Sequence, residues 1–392
     1  MPTAARRLLT ARRHGYNQGS MENAAELQAP PAPALSDAER GLLARAEEVA
    51  ETLLEPRAEA VDQSGRVPVE NLEALAAAGL VAVTTPREWG GHGASGAFQR
   101  EFTETLTAAC GTTWFVLTQH LGACSQLAGS ENPSLRERFL RDAAAGRHWI
   151  GVGFGHLRRP EPMLRARRVD GGYILDGVAP WVTGWPILAG VIYGAVLEDG
   201  ERHVYLYAPA AENEHLRSSP PLPLCAMNAS ATTEVRLEGL FVPDDDFVRF
   251  SSRTEMARGD ERNIAGATPP PLGCTRGSVR HLRRIAEKRA GLPAIADAAD
   301  RLAAELDALR AESRRIADGP KDTRDYKPAA LAARTGAIEL AVRAAHAAVA
   351  ASGGAANALT HPAQRRYREA MFYTLAAQTG DILAATVSRL AR

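Results

Sequence analysis

The sequence predicts an α+β chain of three successive bodies: an N-terminal all-helical domain, a central β-barrel or sandwich, and a C-terminal four-helix bundle. Three observations predict it. Apolar residues recur at helical spacing from Ser36 to Gly146. Short apolar or alternating runs broken by glycine replace that spacing from His148 to about residue 250. Helical spacing then returns after Pro269-Pro270-Pro271 and holds to the end. The expected divisions are a disordered tail over 1–35, the helical domain over 36–147, the β domain over 148–250, a linker over 251–271 and the bundle over 272–392.

The elements follow in order. The first 20 residues hold Arg6, Arg7, Arg12 and Arg13 and no acid, a pattern also seen in organellar transit peptides; the reading taken is a disordered tail, with Met21 as an alternative start. Pro30-Pro31-Ala32-Pro33 cannot be helix interior and reads as linker. Ser36 and Glu39 form a capping-box pattern ahead of the stripe Leu42, Leu43, Ala46, Val49, Leu53, which Pro56 is expected to stop. A second helix runs from Pro68 through Leu72 and Leu75 to Gly79, and further helices are expected over 95–109, 113–128 and 133–145. In the β domain, Trp149 to Gly153 is short and glycine-broken, Gly172 to Gly177 reads as a strand ending in a turn, and Val191–Leu197 and Val204–Tyr207 read as strands. Thr233, Val235 and Leu237 alternate with Glu234, Arg236 and Glu238, as a half-buried strand requires. In the bundle, Ala298, Leu302, Leu306 and Leu309 mark one helix, Ala330 to Ser352 an alanine-rich second stopped by Gly353-Gly354, and 364–391 a last helix or two with a break.

Composition narrows the function. The 46 basic and 46 acidic residues cancel, so nothing points to nucleic acid or a membrane surface. No apolar run approaches the ~20 residues that span a bilayer. Cys110, Cys124, Cys225 and Cys274 stand alone, which argues against zinc and disulfides and for a reducing cytoplasm. No GxSxG elbow occurs and no His/acid set has metal-ligand spacing. Glu212-Asn213-Glu214-His215 reads as a solvent-facing polar loop.

The order of domains, and four segments within it, resemble the acyl-CoA dehydrogenase superfamily over roughly residues 37–392. Val67-Pro68 to Leu80 followed by Pro86-Arg87-Glu88-Trp89-Gly90-Gly91 resembles its "P…L…GL…P…GG" signature. Tyr173 to Gly184, containing Trp181-Val182-Thr183, resembles its "Y-x-x-x-G-x-K-x-W-I-T" flavin segment without a gap. Thr233 to Pro243 resembles the strand that closes its β domain, and Gly353-Gly354 with Tyr367-Arg368-Glu369-Ala370 its "GG…RDA" pair. The resemblance implies that Trp181 packs on a flavin and that Thr183 hydrogen-bonds the ring near its reacting nitrogen. An aromatic face supplies contact area, and a fixed hydroxyl tunes the ring. Read from the residues alone, Trp181 is a core aromatic and Thr183 an ordinary strand residue.

Three departures matter. The family's first flavin loop, "T-E-P-x-x-G-S-D", is here Gly151-Val152-Gly153-Phe154-Gly155-His156-Leu157-Arg158-Arg159. Backbone amides around Gly153, Phe154, Gly155 and His156, with Arg158 or Arg159, suit a pyrophosphate; two arginines on a solvated face is the alternative. The "R-x-x-F-G" and the glutamine that reach the adenine half of FAD from a second subunit correspond to Lys288-Arg289-Ala290-Gly291 and Ala350. The "Y-E-G-T" that carries the family's usual catalytic base corresponds to Tyr373-Thr374-Leu375-Ala376-Ala377-Gln378-Thr379, and Ala377 takes no proton. Some members place the base before an arginine early in the bundle. Glu261-Arg262 stands there, with about two extra residues before Gly273; a solvated loop acid is the competing reading.

The resemblance therefore implies a FAD-dependent oxidoreductase that desaturates an acyl thioester, on CoA or an acyl carrier protein, with Glu261 as base beside Arg262. A flavin monooxygenase on the same fold is the alternative, because that branch needs no such base. A flavin-free acyl-binding homologue is a third. Ala347, Ala350 and Gly354 suit close helix packing, and the resemblance implies a homodimer or homotetramer.

Overall fold

The computed structural model describes residues 35–391; the expectations for the tail, for Met21 and for Pro30-Pro31-Ala32-Pro33 lie outside them. Ser36 opens the first helix, α1 (Asp37–Val49): its hydroxyl accepts from the Glu39 N–H, and the Glu39 carboxylate accepts from the Ser36 N–H. Pro56 does not stop this stretch. A π turn over Ala50–Leu54 passes directly into α2 (Glu55–Ser64), and Pro56 falls in the first turn of α2. The helices α3 (Val69–Ala77), α4 (Gly96–Ala109), α5 (Gly111–Ala128) and α6 (Pro133–Ala144) follow. Leu42, Leu54, Leu72, Leu75, Phe98, Leu106 and Leu117 belong to the core shared by α1 to α5.

The chain then forms β1 (Ile150–Gly153), β2 (Leu164–Val169), β3 (Gly172–Val182), β4 (Gly190–Leu197), β5 (Arg202–Pro209), β6 (Leu216–Ser218), β7 (Thr233–Pro243) and β8 (Phe247–Ser252). They make one sheet in the order β6-β7-β3-β2-β4-β5-β8, with β1 parallel to β4. Every residue of β4 is buried. Val191, Tyr193 and Ala195 join one apolar cluster inside the curled sheet; Ile192 and Val196 join another that includes Leu127 and Leu140 of α5 and α6. The strand expected to end at Gly177 continues to Val182. At φ 130° a Cβ on Gly177 would stand 2.1 Å from the Met163 carbonyl oxygen, so glycine is required there. The pairing with β7 shifts register at that residue and the strand carries on.

The stretch 251–271 was expected to be linker. It holds a helix, α7 (Arg253–Arg262), and the triple proline opens α8 (Pro269–Lys288), where the first turn needs no N–H donors. No residue of α7 is buried, so it leaves no apolar periodicity to read. The bundle continues with α9 (Pro293–Asp318), α10 (Tyr326–Ser352), α11 (Pro362–Leu375) and α12 (Gly380–Leu390), the last two separated by a break at residues 376–379. Leu272, Leu302, Leu306, Ala337, Leu340, Ala344 and Ala348 form its core. No helix among the described residues is long and apolar enough to cross a membrane.

Candidate active site

The far end of β3 brings three sequence-selected residues to one place. The Trp181 indole is 53% exposed, while Val182 and Thr183, the next two residues, are buried. Thr183 is not an isolated hydroxyl. Its Oγ1 lies 2.8 Å from Thr232 Oγ1, which lies 2.8 Å from Ser230 Oγ, and all three residues are buried. The Gly184 N–H donates to the Ser230 carbonyl at 2.8 Å and locks the two chain segments together. Met227 and Ala231, flanking the turn that carries Ser230, both have positive φ, at 58° and 47°. Non-glycine residues hold that conformation only where surrounding contacts enforce it. Here Met227 packs on α5 and the bundle: the Thr112 hydroxyl lies 3.6 Å from its sulfur, and it clusters with Tyr373 and Cys274. All three domains therefore hold the hydroxyl chain in place. Nothing in the alternation of β7 marked Ser230 or Thr232.

The glycine-rich loop lies beside that strand. A Cβ on Gly153 would stand 3.3 Å from Ala179 Cβ, two residues before Trp181, and one on Gly155 would meet open space. Phe154 stacks edge-on to Tyr205, with centroids 5.4 Å apart. His156 is buried, and its Nε2 stands 2.9 Å from the Gly194 carbonyl. Nε2 is therefore the protonated nitrogen, and Nδ1 is a bare acceptor with no partner among the described residues. Burial pushes the His156 pKa down to about 4, so the ring is neutral at pH 7. Arg158 makes a two-pronged pair with Asp260, at 2.7 Å on both oxygens, so its fork is occupied by a carboxylate of this chain.

Asp260 leads to the second group of residues. Glu261, on the last turn of α7, is half exposed, with its carboxylate 3.9 Å from Lys327 Nζ. Lys327 also pairs with Asp381 at 2.8 Å, and Asp381 first and Glu261 after it raise the ammonium above its ordinary range. Arg262 pairs with Asp322, and its carbonyl accepts from Tyr326 Oη at 2.7 Å. Asp381 is four residues past Ala377, so the structure draws Glu261 to the corner that contains the Ala377 turn. Ala377 itself is exposed, with φ 51°.

A proton-abstracting carboxylate is best served by apolar surroundings, and Glu261 is half exposed beside an ammonium. Among the described residues the carboxylate that burial pushes upward is Glu104 on α4, but Arg310 donates to it at 2.8 Å and Arg314 opposes the rise. That group is a clamp between helices. No set of three metal-ligating side chains occurs among the described residues.

The residues fit a flavin ring better than its phosphates. A half-exposed indole, a buried hydroxyl with one hydrogen-bonding valence unused, and open space over Gly155 suit a planar heteroaromatic ring. With Arg158 engaged, a pyrophosphate would rely on backbone amides and on Arg159, which has no anionic partner among the described residues.

Comparison with known proteins agrees in outline. The family profile described as acyl-CoA dehydrogenase, N-terminal domain, matches residues 36–147, and that for the acyl-CoA dehydrogenase C-terminal domain matches residues 272–391. The chain is 27% identical over 379 residues to the 3-sulfinopropanoyl-CoA desulfinase of Variovorax paradoxus, covering 90% of this chain and 94% of that protein. The fold is shared with a glutaryl-CoA dehydrogenase from Mycobacterium smegmatis in complex with FADH2, at TM-score 0.78 and 16% identity over 91% of this chain and 95% of the other. It is also shared with the dibenzothiophene monooxygenase of Paenibacillus sp. A11-2, at TM-score 0.74 and 16% identity over 90% and 97%.

Proposed function

Since the chain belongs to the acyl-CoA dehydrogenase family, we propose that it is a flavoprotein oxidoreductase that binds FAD and desaturates an acyl thioester, carried by CoA or an acyl carrier protein, between its α and β carbons. The observation that carries the reading is the end of β3, where an exposed Trp181 stands beside the hydroxyl of Thr183. Trp181 would shield one face of the ring from water, and Thr183, oriented by Thr232, would hydrogen-bond its edge. The loop Gly153-Phe154-Gly155-His156 would bound the ring's other side, with Arg158 tying that loop to α7 through Asp260. Bound there, the flavin supplies the acceptor for the hydride that leaves the β-carbon. Glu261 would take the α-proton, with Arg262 holding the end of α7 against α10. An apolar acyl group covering Glu261 would exclude the water that now reaches its carboxylate. A homodimer or homotetramer in the cytoplasm completes the reading.

Purified protein should be yellow, or should take up FAD on reconstitution. Protein that stays colourless and gains no thermal stability from FAD or FMN would sink the redox reading, leaving a flavin-free acyl-binding role. Light scattering should show a dimer or tetramer, and a monomer at micromolar concentration would count against it.

A monooxygenase is the second reading, favoured by Ala377 and by the pairing of Glu261 with Lys327, which together leave no desolvated base. Flavin reduced by NAD(P)H with oxygen uptake, and not by an acyl thioester, would put it first.

A further inference from the structure

Among the α-helices of the described residues, α7 is the one that buries nothing. Its two ends are nevertheless fixed. Val248 and Ser251 of β8 are buried ahead of it, and Ile264 and Ala265 are buried behind it in a cluster with Ile316 and Tyr326. Between those anchors the helix is held chiefly by charge. Asp260 takes both prongs of Arg158 at 2.7 Å, Glu261 stands 3.9 Å from Lys327, and Arg262 pairs with Asp322. A ten-residue helix is marginal by itself, and Gly259 inside it weakens it further. A segment with so few buried apolar contacts opens locally at a lower free energy than the whole fold.

The contacts of α7 lay it along the glycine-rich loop. Arg253 at its start donates to the Pro160 carbonyl at 3.4 Å, and Asp260 near its end holds Arg158. Met256 between them packs against the same apolar cluster as Phe154. That loop in turn lies on β3, where a Cβ on Gly153 would stand 3.3 Å from Ala179 Cβ, two residues before Trp181. We propose that α7 is a lid over the glycine-rich loop, latched by the Arg158–Asp260 pair, which opens as a unit to admit the molecule bound beside Trp181 and closes over it. This rests on the flavin and acyl-thioester reading of that site. Glu261 follows Asp260 directly, so closing the latch also sets the carboxylate proposed as base.

The test is hydrogen exchange of the whole protein, read by mass spectrometry. In wild type the amides of 253–262 should exchange far faster than those of β4, which is buried throughout. Arg158→Gln, which removes the charged half of the latch, should speed exchange in α7 about tenfold and leave α9 unchanged. Arg158→Lys, a single prong, should fall between. Raising NaCl to about 1 M, where the screening length is about 3 Å, should speed α7 in wild type and move Arg158→Gln much less. Equal exchange in wild type and Arg158→Gln overturns the latch and the proposal with it. Exchange in α7 that only tracks β4 overturns the lid, since the helix then opens with the whole fold. FAD should slow α7. Protein that binds FAD by its visible spectrum while α7 exchanges as before holds a loose helix that covers nothing, which also overturns the proposal. If neither FAD nor crotonyl-CoA binds, by spectrum and calorimetry, the reading of the site fails, and the lid falls with it because it has nothing to admit. Should Arg158→Gln not fold, the salt series of the wild type decides, and α7 exchange that salt leaves unmoved overturns the latch.

Discussion

Two charged regions tie the bundle to the rest of the molecule, and they obey opposite rules. Around α11 the charges are buried. Arg365, Arg366 and Glu369 are each 2% exposed; Arg365 pairs with Glu369 at 2.7 Å and with Glu59 at 3.1 Å, and Arg366 with Glu55 at 3.3 Å. Glu369 also accepts from the Gly111 N–H at 3.2 Å and so caps α5, whose own N-cap residue Cys110 supplies no side-chain bond. At the corner of α7, α10 and α12 the charges of Glu261, Arg262, Lys327 and Asp381 are half exposed. Exposed pairs are worth ~0–1 kcal/mol, whereas breaking a buried pair leaves an uncompensated charge and costs ~3–5 kcal/mol. Charge holds the domains together where water is absent, and it is free for chemistry where water reaches it.

The largest expected effect tests the exposed side. Glu261→Gln should slow flavin reduction by an acyl thioester ~10²–10⁴-fold, the contribution of a positioned base, while the melting temperature barely moves. Stopped-flow reduction at the normal rate removes Glu261 from the chemistry. The mirror experiment is Glu369→Gln, which should lose ~3–5 kcal/mol in urea unfolding, because Arg365 is left without its nearest carboxylate and α5 without its charged cap. Folded protein of that variant should still take up flavin. A loss below ~1 kcal/mol, the range of exposed pairs, would erase the distinction between the two regions.

Acid should strike the buried interior as well. His120, fully buried, accepts from the Ile150 N–H at Nδ1 (3.2 Å), and its Nε2 lies 3.0 Å from the Ala143 carbonyl, so only the neutral ring with its proton on Nε2 satisfies both. Burial lowers its pKa from 6.5 to about 4, and burial, with Arg366 and other neighbouring arginines, lowers that of His281 to about 4 as well. Between those values the unfolded chain binds more protons than the folded one. Stability is therefore complete above pH 6.5 and is lost progressively as pH falls towards 4. A melting temperature unchanged from pH 7 to pH 4.5 would show that these rings find water or partners the structure does not give them. The smallest effect belongs to Thr183→Val, which removes one hydroxyl from a chain of three. It should cost ~0.5–1.5 kcal/mol and shift the visible spectrum of bound flavin. An identical spectrum returns Thr183 to an ordinary strand residue.

The sequence by itself determined the order of domains and most of the helices. A buried helix face or strand face repeats at a fixed interval, and that interval is written in the chain: Leu302, Leu306 and Leu309 in α9, or Thr233, Val235 and Leu237 in β7. It also determined that Ala377 carries no base and that Trp181 and Thr183 stand two residues apart. It failed where local rules met tertiary support. Pro56 reads as a stop but is absorbed by a π turn, Gly177 reads as a turn but is a bend within β3, and α7 buries nothing and so shows no period. Only the tertiary structure decided which polar groups meet: Thr183 with Thr232 and Ser230, 49 and 47 residues on; Arg158 with Asp260, 102 residues on; Arg334 with the carbonyl of Ala376, 42 residues on. Polar contacts have no period. They are set by where rigid helices and strands come to rest against one another, and that depends on the packing of the whole core at once.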